Sequence, residues 1–368
     1  VIDSYLDEVS KQGIHTVLVK SSGLKVVYTP LNGTGNKPVR AILKKIGVED
    51  VTVVPEQEYP DGNFPTCPFP NPEIKEALAK GLELCNVVKP DLLLATDPDC
   101  DRVGIAVPSD NGYELFTGNE VGAMLLEYIC SERTKMGTMP ADPVAVKTIV
   151  TTDIAAKIAK EYGVKLIEVL TGFKFIGEQI GFLEDKGQED RYIFGFEESY
   201  GYLAGSYVRD KDAVVASMLI CEMAAFYRTK GISLIQAREN MYKKYGVYVH
   251  SQSSFVCEGV TGMERMKEIM SDLRTNTPKT IGGLTVTRFE DYLASTSVDT
   301  ATGAKTMLTL PKSDVLTSKL TDGASVIIRP SGTEPKIKAY YTTTGTTKAE
   351  AAALEKTISD DFAKILGF

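Results

Sequence analysis

The chain has 368 residues, 43% hydrophobic and 24% charged, the proportions of a soluble globular protein of roughly two to three domains. Its net charge of −8 argues against a nucleic-acid partner, which needs a basic face, yet leaves room for a small phosphorylated ligand held by a few local cations. No apolar run is long enough to cross a bilayer, so no membrane is expected as a partner.

The first residues, Val1–Glu8, are acidic and amphipathic, unlike a signal peptide, and the missing initiator Met suggests a cut boundary. Cysteines 67, 85, 100, 130, 221 and 257 form no Cys-x-x-Cys pair, which fits reduced thiols in a cytoplasmic protein. The only histidines, His15 and His250, are far apart, so a histidine-based zinc site is not expected.

In chain order, Val1, Ile2, Tyr5, Leu6 and Val9 recur at helical spacing. A buried strand follows at 25–28, then a turn containing Gly33 and Gly35, a helix at 39–46 and a strand at 51–54. A helix is expected over 72–85, then strands at 92–96 and 103–107. A second cycle begins near Tyr113, with helices at 120–136, 154–162 and 173–182 between strands at 144–150, 165–170 and 192–196. Helices at 212–230 and 233–245 close it.

This alternation implies an α/β protein with two domains built on mostly parallel sheets, at 1–112 and 113–246. After residue 246 strands come in runs, at 247–256, 284–289, 324–329 and 336–341, flanked by helices at 262–274 and 348–366. The stretch 247–368 therefore reads as a small α+β domain with an antiparallel sheet.

Asp97-Pro98-Asp99-Cys100-Asp101-Arg102 leaves an apolar strand. Three like charges this close are unfavourable unless a cation compensates them, and Mg²⁺ takes carboxylate and phosphate oxygens. Asp97, Asp99 and Asp101 are therefore candidate metal ligands, and Arg102 a contact for a phosphoryl group. A solvated acidic turn is the competing reading, but apolar strands on both sides argue against it.

Three further stretches carry polar groups at strand ends. In Arg329-Pro330-Ser331-Gly332-Thr333-Glu334, a guanidinium, two hydroxyls and a potential backbone nest suit a phosphate, although Pro-Ser-Gly-Thr alone is ordinary turn chemistry. Glu197-Glu198-Ser199 suits sugar hydroxyls, which both donate and accept. In Arg209-Asp210-Lys211-Asp212, one aspartate can cap the next helix, and Lys211 is either one member of a salt-bridge cluster or a proton carrier. Lys174, in Thr171-Gly172-Phe173-Lys174, either reaches a ligand or is solvated.

Together these motifs, in this order, resemble the α-D-phosphohexomutase family of phosphoglucomutases and phosphomannomutases. The resemblance implies the second, third and fourth of four domains: two related three-layer α/β domains and the small α+β domain. It also implies transfer of phosphate between the 1 and 6 positions of a hexose, through an enzyme phosphoserine and a bisphosphate such as glucose 1,6-bisphosphate. Mg²⁺ would sit on Asp97, Asp99 and Asp101. The substrate would be held by Thr171, Gly172, Lys174, Glu197 and Ser199, and its distal phosphate by Arg329, Ser331, Gly332 and Thr333. Arg102 and Lys211 are the catalytic candidates; Ser199 is followed by Tyr200-Gly201-Tyr202, without the histidine some branches carry, which moves the proton carrier to the lysine. The family's Thr-Ala-Ser-His-Asn-Pro-like serine motif does not occur in the sequence, so the chain is expected to be truncated, inactive alone, and completed by an N-terminal domain. Glucose is favoured over mannose or pentose phosphates. The alternatives are a non-catalytic sugar-phosphate binder and a phosphatase in which Asp97 is the nucleophile.

Overall fold

The computed structural model describes residues 2–257, 259, 261–331 and 334–368. The chain divides into two compact units, Val1–Met241 and Tyr242–Phe368.

The first unit opens with α1 (Ile2–Ser10), α2 (Thr16–Ser22), β1 (Lys25–Thr29), α3 (Asn36–Ile46) and β2 (Asp50–Val53). It continues through α4 (Ala79–Val88), β3 (Leu92–Thr96), β4 (Val103–Ser109) and β5 (Gly112–Phe116). These strands form one sheet in the order β2-β1-β3-β4-β5. β1 pairs in parallel with β2 and β3, but β3–β4 and β4–β5 are antiparallel. The chain reverses between β3 and β4 through a short loop, and a parallel neighbour would need a crossover of a dozen or more residues. Thus the sheet runs through Tyr113 to Phe116, past the point where the sequence suggested a second cycle.

The expected helix at 72–85 is also different. The backbone is irregular over 58–74, a 3₁₀ turn covers Lys75–Leu78, and only then does α4 begin. Two prolines flank Asn71, whose Oδ1 accepts the Glu73 N–H at 3.0 Å; this side-chain turn competes with helix formation. The short helix α2, between His15 and Gly23, was not foreseen.

A capping box at Thr117 and Glu120 starts α5 (Gly118–Met136). It is followed by β6 (Val144–Thr148), α6 (Ile154–Glu161), β7 (Lys165–Val169), α7 (Phe173–Glu184), β8 (Tyr192–Glu197) and β9 (Gly201–Leu203). The second sheet has the order β7-β6-β8-β9, parallel except at the β8–β9 hairpin. The nearly wholly buried α8 (Ala213–Thr229) packs against α2, α3 and α5. The division between the units falls within α9 (Leu234–Tyr245).

The second unit holds β10 (Val247–Val256), α10 (Gly262–Thr275), β11 (Thr280–Ile281), β12 (Leu284–Asp291), β13 (Thr296–Asp299), β14 (Lys305–Met307), β15 (Leu316–Leu320), β16 (Ser325–Pro330), β17 (Lys336–Gly345) and α11 (Lys348–Ile365). Its antiparallel sheet has the order β10-β17-β16-β15-β12-β13-β14. Val326, Ile328, Ile337, Ala339 and Tyr341 share a buried core with Met266 and Met270 of α10 and with Ile358 and Phe362 of α11. The architecture is therefore α/β with parallel-containing sheets followed by an antiparallel α+β unit.

Gly122 of α5 lies against β8 so closely that a Cβ would stand 2.0 Å from the Phe196 ring. Alanine would gain about 1 kcal/mol of helix propensity, but overpacking costs roughly 1–3 kcal/mol, and Phe196 is buried and cannot retreat. Gly122→Ala is expected to lower stability by up to about 2 kcal/mol, read as a lower urea midpoint at unchanged m-value.

Candidate functional site

Asp97 immediately follows the fully buried strand β3, and the chain returns at Val103 as β4. The Asp97 carboxylate is buried, and its Oδ1 accepts the N–H groups of Asp101 and Arg102 at 3.0 and 2.9 Å. Cys100 adopts a left-handed backbone (φ 60°), and its N–H closes a turn on the Asp97 carbonyl at 3.0 Å. This curl brings Asp97, Asp99 and Asp101 together, with one oxygen from each lying within 4.8 Å of the others. Gly33 and Gly35 brace it from the side. A Cβ on Gly33 would stand 2.4 Å from Pro98 Cα, and the Thr34 N–H donates to the Pro98 carbonyl at 2.8 Å.

The loop is tied to the β8–β9 hairpin. Val103 donates to the Tyr200 carbonyl at 3.1 Å, and Arg102 forms a bridge with Gly201. Ala213 donates to the Cys100 carbonyl at 3.1 Å, and Asp212 to that of Tyr202 at 2.9 Å. These bonds set the lysine between them. The Lys211 stem crosses Gly201, where a Cβ would stand 2.5 Å from its Cδ, and its Nζ reaches Asp101 Oδ2 at 2.7 Å. Asp212, of the two candidate caps, is the one that caps α8, accepting from Val214 and Val215. Its other oxygen accepts from the Tyr5 and Tyr207 hydroxyls at 2.7 and 2.6 Å.

Glu197 is the last residue of β8, much as Asp97 follows the last residue of β3, and it too is buried. Its Oε1 accepts the Gly172 N–H at 3.0 Å, so Thr171-Gly172 and Glu197 form one corner. Gly172 has φ 122°, a conformation a side chain would strain, and the buried Thr171 Oγ1 has no hydrogen-bond partner among the described residues. Ser199 is half-buried. Glu198 turns away, accepting from Thr148 and Thr151 at 3.3 and 3.4 Å. Lys174 is exposed on the first turn of α7, with its Nζ 4.9 Å from the Phe175 ring centroid.

Burial dominates the electrostatics. It pushes the Asp97 carboxyl up to about 7, with the charges of Asp101 and Asp99 adding to it and the Arg102 N–H opposing. It also pushes Glu197 up to about 7, aided by Glu198 and opposed by Lys211, the Gly172 N–H and Arg102. Burial alone would lower Lys211, but the hydrogen bond and charge of Asp101, with Asp210 and Glu197, outweigh it and raise it above the ordinary lysine value.

In the second unit, Arg329 lies near the end of β16, with its Nε and Nη2 donating to the Tyr340 hydroxyl at 3.3 and 3.0 Å. The Ser331 N–H donates to the Lys336 carbonyl at 2.8 Å, closing the turn. Gly332 and Thr333 lie outside the described residues. The sequence did not point to Glu73, whose Oε1 is 3.2 Å from Arg102 Nη1, nor to the two tyrosines on Asp212; no local pattern links residues this far apart in the chain.

Three family models match the chain. Residues 3–111 match the phosphoglucomutase/phosphomannomutase α/β/α domain II, 117–245 match domain III, and 278–360 match the C-terminal domain. The chain belongs to the phosphoglucomutase/phosphomannomutase family of α-D-phosphohexomutases. Over 323 residues, 88% of its length, it is 37% identical to a phosphoglucomutase of Staphylococcus aureus (strain MRSA252) and spans 57% of that relative. The fold resembles the open form of the Paramecium phosphoglucomutase pp63/parafusin (TM-score 0.71, 18% identity, 99% of this chain, 62% of that one). It also resembles an Aspergillus fumigatus N-acetylphosphoglucosamine mutase in complex with GlcNAc-6P and magnesium (TM-score 0.55, 12% identity, 98% of this chain, 65% of that one).

The raised Glu197 value has a sign. Folding favours the protonated carboxyl, so this residue's contribution to stability is full below its ordinary value near 4.5 and is lost as pH rises through about 7. Glu197→Gln is expected to flatten the fall in stability between those two pH values, measured by urea denaturation of the metal-free chain; an unchanged slope would contradict the shift.

Proposed function

We propose that these residues form the metal-, sugar- and phosphate-binding part of a phosphohexomutase that interconverts the 1- and 6-phosphates of a hexose, glucose first. Mannose or pentose phosphates are the alternatives within the family. The observation that carries this reading is the convergence of Asp97, Asp99, Asp101, Arg102, Lys211 and Glu197 where two strands end, joined by the 2.7 Å contact of Lys211 with Asp101.

The donor set fits Mg²⁺. It offers three carboxylates, and Asp101 already draws an ammonium group to one of its oxygens. When bound, Mg²⁺ neutralises charge on the transferring phosphoryl group. Arg102 contacts that group, Glu197 and Ser199 hold sugar hydroxyls against the Thr171-Gly172 corner, and Lys211 carries a proton to or from the reacting hydroxyl. Arg329 and Ser331, with Gly332 and Thr333, take the phosphate that is not reacting. The serine-bearing motif is not among these residues, so they bind ligand and leave turnover to a phosphoserine supplied from outside them. Free cysteines and the absence of a membrane-crossing helix among the described residues are compatible with a cytoplasmic enzyme of sugar phosphates.

Calorimetry on the 368-residue chain tests this. Mg²⁺ is expected to bind, and Asp99→Asn to weaken it at least about tenfold without lowering the urea midpoint, because Asp99 is exposed and braces nothing. With Mg²⁺ present, glucose 1,6-bisphosphate is expected to bind, and Arg329→Ala and Ser199→Ala to weaken it. Isomerisation of glucose 1-phosphate by this chain alone would overturn the assignment of the serine, and failure to bind the bisphosphate would overturn the mutase reading.

A further inference from the structure

The Arg102 guanidinium lies within ion-pair range of the aspartates beside it but is not hydrogen-bonded to them. Its Nε lies 3.8 Å from both Asp97 and Asp101, too far for a hydrogen bond, and has no hydrogen-bond partner among the described residues. Its one closer side-chain contact is Nη1 to Glu73 Oε1 at 3.2 Å.

Glu73 is delivered there by a built loop. Residues 58–74 have no regular secondary structure, a long stretch for an ordinary connection. Near its end, Asn71 fixes the turn by accepting the Glu73 N–H on its side chain (3.0 Å) and the Ile74 N–H on its carbonyl (3.0 Å). The loop then presses on β4 at Gly104, where a Cβ would stand 2.7 Å from the Pro72 carbonyl oxygen. Only a glycine lets the loop approach so near, and this places Glu73 beside the arginine two residues earlier. Glu73 is four-fifths buried at its side chain, so its charge is poorly screened.

We propose that Glu73 is a positioning residue for Arg102. By holding Nη1, it fixes the plane of the guanidinium and turns Nη2, which has no protein partner among the described residues, toward the phosphoryl group that Arg102 contacts. A fork with one prong anchored is oriented before the ligand arrives, so less rotamer entropy is lost on binding.

Two measurements on the 368-residue chain test this. The first needs no ligand. The ¹⁵N order parameter of the Arg102 Nε–H bond is expected to fall clearly in Glu73→Gln, with the urea midpoint nearly unchanged. An unaltered order parameter overturns the proposal whatever the chain binds.

The second rests on the mutase reading and uses glucose 1,6-bisphosphate with Mg²⁺. Glu73→Gln is expected to weaken binding by roughly fivefold to tenfold, and to add nothing once Arg102→Ala is present. Equal losses with and without Arg102→Ala would mean that Glu73 acts elsewhere, and would overturn the positioning role. No binding by the unsubstituted chain would instead sink the mutase reading and leave the first measurement to decide.

Discussion

The candidate site depends on how three carboxylates are held together in one short loop. Asp97, Asp99 and Asp101 repel one another, and burial of Asp97 adds a desolvation cost. The loop tolerates this because backbone N–H groups of Asp101 and Arg102 point at one Asp97 oxygen while Lys211 neutralises Asp101 from the connection between β9 and α8. The same lysine contact ties the end of the first sheet to that of the second. The charge balance of the carboxylate loop and the packing of the first unit are thus one feature.

Close backbone approach makes that feature possible. Glycines stand where the loops touch: Gly33 against Pro98, Gly201 beneath the Lys211 stem, Gly104 against Pro72. Each would bring a Cβ within 3 Å of its neighbour. Against Pro98 and Pro72 the neighbour is backbone, which cannot swing aside as a flexible side chain can. Asp212 performs the complementary task. It caps α8 with one oxygen and gathers two tyrosine hydroxyls with the other, so the residue before it enters the site from a fixed backbone.

The site also departs from what stability alone would select. Asp97 and Glu197 are both driven up to about 7 by burial, well above the ordinary carboxylate range. Such departures gather where a bound cation or polar ligand supplies the missing compensation. The two residues occupy equivalent places, each at the end of a buried strand, β3 or β8, where the chain turns into an antiparallel partner. The same local device thus recurs in both sheets of the first unit.

The amino-acid sequence by itself determined the alternation of strands and helices, the change to an antiparallel sheet after α9, and the polar motifs. These signals are local: hydrophobic period, turn residues, and charges spaced a few residues apart. The absence of a helix between 96 and 103 already required β4 to run antiparallel to β3, although alternation elsewhere suggested parallel sheets. Other features were decided only in three dimensions. Lys211 is 110 residues from Asp101, Tyr5 is 207 from Asp212, and Glu73 is 29 from Arg102. No period or spacing encodes such pairs, because they form only when separate loops, each shaped by its own turn, are pressed together by the packing of the sheets that carry them.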